Sequence, residues 1–231
     1  MNIVKEFSRF ATSYNDKNII QKLVAQKLLK YLNLTHYNSV LDLGCGGGEI
    51  YKNMLKNGIS FDKFIGVDIS QEMLNIHPKS KDIELICSDF EDINIKNRYD
   101  IVVSSSALQW SQNLDNTLLK ISKLSNKSVF AIFTSDTFKT LHNIAGISSP
   151  IYPKDYLITH IDRYFNAQYE SVKYKLEFEN TYKMLEYIKK SGVSGGERKL
   201  SLKEIKNLIK SYPLSYLEFE VLFVECNSKL S

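Results

Sequence analysis

The sequence predicts an α/β domain built on a mostly parallel sheet, and three observations carry that expectation. Short runs rich in Val, Ile, Leu and Phe alternate with amphipathic helical stretches through the first 133 residues. Four glycines, Gly44, Gly46, Gly47 and Gly48, sit between the first such run and the helical stretch after it. The 231 residues, 43% apolar and 24% charged, suit one compact domain spanning 1–231 without a disordered linker.

The elements follow in order. Ile19, Ile20, Leu23, Val24, Leu28 and Leu32 recur at helical spacing among lysines, so the segment 1–36 is read as helical and as preceding the sheet. "SVLDLG" is the first strand, 49–56 a helix closed by Gly58, and "KFIGVDIS" the second strand. A helix over 71–76, strands "IELICSD" and "YDIVVSS", a helix over 114–124 and the strand "SVFAIFT" complete the alternation. From 137 to 169 the pattern is irregular, punctuated by Pro150 and Pro153, and reads as a lid inserted after the fifth strand. A strand "VKYKLEFE", helices over 181–190 and 201–212, and a strand "YLEFEVLFVEC" bring the count to seven strands with helices on both faces.

Composition narrows the function classes. The longest apolar run, "VFAIF", is too short to span a bilayer, and the first ten residues mix Lys5, Glu6 and Arg9 without a signal-peptide core, so a cytoplasmic protein is expected. Cys45, Cys87 and Cys226 are too few and too irregularly spaced for a disulfide framework, and the four histidines show no metal-ligand spacing; no metal is expected. The net charge of +4 is uneven, with 13 Lys/Arg against 8 Asp/Glu in 137–215. That excess is either an ordinary solvated surface or a docking face for an acidic partner, around Lys189, Lys190, Arg198 and Lys199. No dense basic patch with aromatics points to nucleic acid.

The glycine loop lies at the C-terminal end of the first strand, where open α/β sheets bind ligands. The spacing G-x-G-x-x-G would need glycine at 49, and Glu49 stands there, which disfavours a pyrophosphate. Asp42, two residues before the first glycine, suits a ligand that carries a cationic amine instead.

This D-x-G-x-G-x-G pattern resembles the first motif of class I methyltransferases that use S-adenosylmethionine. The resemblance implies their Rossmann-like fold and assigns Gly44, Gly46 and Gly48 to the methionine and ribose part of the cofactor, with Asp42 near its amino group. Asp68, at the end of the second strand, matches the acid that binds both ribose hydroxyls, with Ile69 after it. Asp89 in "CSDF" matches the polar residue near the adenine amino group, with Phe90 beside it, and Ser105 is assigned to the cofactor site as well. Asp89, Glu91 and Asp92 as a merely solvated acidic turn, and Asp68 as a helix cap, are the plain structural readings.

Two further stretches, "FSRFATSYN" and "SSSALQW", together with the late "IKKSGVSGG", are similar to the malonyl-acyl carrier protein O-methyltransferases of biotin synthesis. The matching residues are Phe7, Arg9, Ala11, Tyr14, Gln109 and Trp110; Asn15 and Ser105 depart from the family's aspartate and asparagine. The resemblance implies a carboxyl O-methyltransferase that converts S-adenosylmethionine to S-adenosylhomocysteine, with malonyl-acyl carrier protein as partner and no membrane; a monomer is expected. A carboxylate is already ionised at neutral pH, so no general base is needed and positioning dominates. Neutral donors on Tyr14 and Gln109 orient it at less cost to nucleophilicity than Arg9, while Trp110 either packs in the core or touches substrate. The rival readings are a methyltransferase of a free small acid such as trans-aconitate, and a catalytically silent binding subunit of the same fold.

Overall fold

The computed structural model describes residues 18–93, 97–191 and 202–230. Arg9, Tyr14, Arg198 and Lys199 lie outside them. Seven strands form one sheet in the order β3-β2-β1-β4-β5-β7-β6. They are β1 (His36–Leu43), β2 (Ser60–Asp68), β3 (Ile83–Cys87), β4 (Ile101–Ser105), β5 (Lys127–Phe133), β6 (Phe165–Glu177) and β7 (Tyr216–Ser228). β7 pairs antiparallel with β5 and with β6, while the β1, β2, β3, β4 and β5 ladders are parallel. The chain first steps outward from β1 to β3, then returns to the other side of β1 as β4. A crevice therefore opens at the C-terminal ends of β1 and β4.

Helices cover both faces. They are α1 (Ile19–Leu28), α2 (Glu49–Lys56), α3 (Gln71–Ile76), α4 (Leu114–Leu124), α5 (Lys139–Ala145), α6 (Lys154–Tyr164), α7 (Thr181–Ser191) and α8 (Leu202–Ser211). Strand residues alternate between two cores, as a sheet covered on both sides requires. Val40, Phe64, Val103 and Phe223 pack against α1, α2, α5, α7 and α8 through Val24, Leu28, Met54, Leu141, Met184 and Leu208. Leu41, Ile65, Val102 and Phe130 pack against α4 and α6 through Leu118, Ile121, Leu157 and Ile161.

Local chemistry sets the element ends. Gly58, in the left-handed region at φ 70°, follows α2. Its N–H reaches Leu55 O at 3.1 Å while Ile59 N–H reaches Met54 O at 2.9 Å, the paired closure that a glycine stop allows. Ser70 caps α3, its hydroxyl accepting from Met73 N at 3.3 Å. With Ser70 in that role, Asp68 is left for another.

Three expectations differ from the structure. The 137–169 span is not irregular: it holds α5, α6 and the first residues of β6, with Leu157 and Ile161 fully buried. Its prolines lie in the turn before α6, where Pro153 takes the N-cap position and costs no helical hydrogen bond. β6 begins at Phe165, seven residues before the expected Val172, because an edge strand with one solvated face shows only a broken apolar alternation. In α1 a single ridge, Ile20, Val24, Ala25 and Leu28, reaches the core, while Ile19 and Leu23 stay exposed on its flank.

Because Leu157 ties α6 to the α4 core, Leu157→Ala is expected to destabilise the fold by about 2–5 kcal/mol. Urea unfolding of the two proteins measures it; a change near zero would mean that α6 is not part of the cooperative core.

Candidate functional site

The loop after β1 is shaped by the protein around it. Gly44 N–H and Cys45 N–H both donate to Val67 O, at 2.8 and 3.0 Å, which turns the chain over the end of β2. Gly44 has φ 76°, and a Cβ there would lie 2.2 Å from Ala107 Cβ in the turn after β4. Gly48, at φ 83°, precedes α2, and its Cβ would meet the His77 ring and Pro78 at 2.8–2.9 Å. No L side chain fits either place. The glycines thus let the loop press against β4 on one side and against the turn after α3 on the other.

Asp68 joins the loop to β2. One carboxylate oxygen accepts from Gly46 N–H and the other from Ser70 N–H, both at 2.9 Å. Burial raises its carboxyl above the usual range, and those two N–H groups oppose the rise. The acid expected at the ribose therefore also holds the glycine loop in register.

Asp42 is different. It is 1% exposed, in the last turns of a central strand, and neither of its oxygens has a hydrogen-bond partner among the described residues. Burial first, and then the charge of Asp68, pushes its carboxyl up to about 8. The contrast with Glu220 is direct. That carboxylate is 5% exposed yet accepts from Thr134 Oγ1 at 2.6 Å and Ser171 Oγ at 3.1 Å. A buried carboxylate left without a donor costs on the order of several kcal/mol, so a built site that keeps one is shaped for a cationic donor.

The β4 side of the crevice carries the strain. Ser104 Oγ donates to Leu43 O at 2.8 Å, pinning β4 to the end of β1. Ser105, half-buried, closes the strand, and Ser106 then takes φ 63°. Gln109, in the short 3-10 turn Leu108–Trp110, donates from Nε2 to Ser106 O at 2.6 Å, while its Oε1 is buried without a partner. Ser106 Oγ is buried and unpartnered too. Trp110 is half-buried at the end of this turn.

Beyond β3, Asp89 and Phe90 are half-buried; Asp89 accepts from Glu91 N–H at 2.8 Å, and Phe90 packs on the α4 core. Glu91 is no solvated turn acid. It accepts from Ser111 Oγ at 2.5 Å, Asn113 N–H at 2.9 Å and Thr117 Oγ1 at 3.0 Å, which lowers its carboxyl although burial acts the other way. Ile69 is half-buried beside Cys87. Asp42, the glycine loop and the β4 turn thus meet at the crevice; Lys189 and Lys190 lie on the last turn of α7. Sequence reasoning missed Ser106 and Glu91, although "SSSALQW" placed a serine at the turn and "DFED" placed an acid before α4.

In the free protein Asp42 binds its proton more tightly folded than unfolded, where its ordinary value is about 4. Its contribution to stability is therefore present below about pH 4 and is lost as pH rises toward 8. Asp42→Asn is expected to lose less stability than wild type between pH 5 and 8, by at most about 1.4 kcal/mol per pH unit. Urea midpoints at several pH values measure it; parallel curves would show that Asp42 is ionised throughout.

A family model described as a methyltransferase domain matches residues 40–127, the segment from β1 to the start of β5. A malonyl-[acyl-carrier protein] O-methyltransferase of Priestia megaterium is 30% identical over 150 residues, 60% of this chain and 54% of that protein. The match thus spans about half of that relative's length. One of the same description from Bacteroides thetaiotaomicron is 25% identical over 211 residues, 87% of this chain and 80% of its own. Among solved structures, the N-methyltransferase NodS from Bradyrhizobium japonicum WM9, in complex with S-adenosyl-L-homocysteine, superposes with TM-score 0.61 at 12% identity, covering 98% of this chain and 99% of that one. At that identity the likeness concerns the fold alone. Fold, matched segment and relatives agree: the chain has the Rossmann-like methyltransferase fold and is similar to the class I methyltransferases that use S-adenosylmethionine.

Proposed function

We propose that the chain is an S-adenosylmethionine-dependent O-methyltransferase that esterifies the free carboxylate of a malonyl group carried on acyl carrier protein, in the synthesis of biotin's pimeloyl chain. The observation that carries the cofactor half of this reading is Asp42, whose two buried and unpartnered oxygens fit an amino acid ammonium group. Asp68 keeps lone pairs for ribose hydroxyls after its two backbone bonds, and the resemblance assigns Asp89 and Phe90 to the adenine end of the cofactor, with Ile69 after Asp68. The acceptor half rests on the relatives named malonyl-[acyl-carrier protein] O-methyltransferase and on the residues shared with that family, Arg9, Tyr14, Gln109 and Trp110.

The bound cofactor supplies a methyl group on a positively charged sulfur; an acceptor oxygen forms the new C–O bond as the S–C bond breaks, its electron pair stays on sulfur, and no proton moves. The chain's own work is alignment and exclusion of water. Asp42 and Asp68 fix one end of the crevice, and the loop and β4 turn, locked by the Gly44–Ala107 contact, hold its walls at one spacing. Neutral donors near the β4 turn orient the carboxylate without drawing much charge from the attacking oxygen. The basic excess in the sequence of residues 137–215, which includes Lys189, Lys190, Arg198 and Lys199, suits an acidic carrier protein and would steer its approach.

The test is methyl transfer from labelled S-adenosylmethionine to malonyl-acyl carrier protein, malonyl-coenzyme A and trans-aconitate in parallel. The carrier-borne acceptor is expected to give the highest kcat/KM. Turnover on the free acid alone would move the chain to the small-acid methyltransferases, and binding of cofactor with turnover on none would make it a silent binding subunit.

A further inference from the structure

We propose that the Ser106 hydroxyl is the hydrogen-bond donor that orients the acceptor carboxylate, and that Gln109 is a positioning residue acting through the Ser106 backbone. The inference rests on the carboxylate-methylating reading above and deepens it.

Ser106 is held in a conformation that a serine adopts only at a cost. Its φ of 63° is left-handed, and Phe138 is the other non-glycine residue with positive φ among the described residues. Three contacts enforce it. Ser106 N–H donates to Ala131 O at 2.8 Å, Gln109 Nε2 donates to Ser106 O at 2.6 Å, and Ala107 is wedged against Gly44. A strained residue fixed from three sides, carrying a buried hydroxyl without a hydrogen-bond partner among the described residues, is poorly explained by folding alone. It follows the last residue of β4, one residue before the contact between the β4 turn and the glycine loop, at the end of the sheet where the crevice opens.

The same geometry redefines Gln109. One of the two N–H groups on its Nε2 is already spent on Ser106 O, and exchanging its amide atoms would set two oxygens against each other at 2.6 Å. Its Oε1 is buried without a partner among the described residues and, as an acceptor, cannot bind a carboxylate oxygen. A serine hydroxyl supplies what the reaction asks for: one neutral donor, engaging one carboxylate oxygen and leaving the other to attack. Asp42 cannot share that role, because it repels the acceptor's charge.

The experiment compares wild type with Ser106→Ala, Ser106→Gly, Gln109→Ala and the double variant Ser106→Gly/Gln109→Ala. Affinity for S-adenosylhomocysteine is read by calorimetry, and kcat and KM on the best carboxylate acceptor. Ser106→Gly relieves the backbone, so it keeps the test sound if Ser106→Ala folds poorly. Both serine variants are expected to bind S-adenosylhomocysteine as wild type does and to lose about tenfold to a hundredfold in kcat/KM, the worth of a hydrogen bond to a charged group. Gln109→Ala is expected to lose activity beside Ser106 and to lose nothing more beside Gly at 106. Wild-type rates in both serine variants would overturn the assignment. So would weakened S-adenosylhomocysteine binding, which would give the hydroxyl to the cofactor, or additive losses, which would detach Gln109 from Ser106. Wild type inactive on every carboxylate would take the proposed function down together with this inference, whereas an active wild type with unaltered variants would overturn the inference alone.

Discussion

A carboxyl group with both oxygens buried and no donor in reach among the described residues is the interaction left unmade at the end of β1, and the architecture of the crevice keeps it so. Asp42 sits on a strand flanked by β2 and β4, so backbone pairing on both sides fixes its position. The glycine loop after it is tied to Val67 and Asp68, and β4 is tied to Leu43 through Ser104, so both walls are held in place. Elsewhere buried acids are satisfied at once, as Glu220 is by Thr134 and Ser171. The unmet group is therefore a stored interaction, released when a cation arrives.

Around that point the chain separates two chemistries. Acidic groups, Asp42 and Asp68, occupy the ends of β1 and β2, where they favour a cationic ligand. Neutral polar groups, Ser106 and Gln109, occupy the turn after β4, which in the proposed function would let an anionic acceptor approach without meeting another negative charge. The sheet order sets this separation, because β1 and β4 are neighbours whose connections leave in opposite directions. The proposed methyl transfer to a carboxylate would use both environments, which the parallel switch point brings to the same end of the sheet.

Much of this was legible before any coordinates. Strand and helix alternation gave all seven strands, since fully buried parallel strands read as continuous apolar runs. Gly58 and Ser70 marked helix ends through local chemistry that needs no tertiary context. Asp42 was visible from its place two residues before Gly44, and Asp68 from the resemblance to the methyltransferase pattern. What was not legible depends on contacts distant in sequence. The first half of β6 is a strand because β7 pairs along its whole length. Glu91 is structural because α4 brings Ser111, Asn113 and Thr117 to it. Ser106 looked like one serine of three, and only its backbone angle, imposed by Ala131, Gln109 and Gly44, sets it apart.

The account turns on Asp42 meeting the cofactor's ammonium group as a carboxylate that has just given up its proton. Calorimetric titration with S-adenosylmethionine at about pH 6.5, in two buffers of different ionisation enthalpy, reads that proton directly. With the carboxyl of the free protein near 8, binding should release close to one proton, and affinity should tighten as pH rises from about 6 to 7.5. Binding that releases no proton, with an affinity independent of pH over that range, would contradict it.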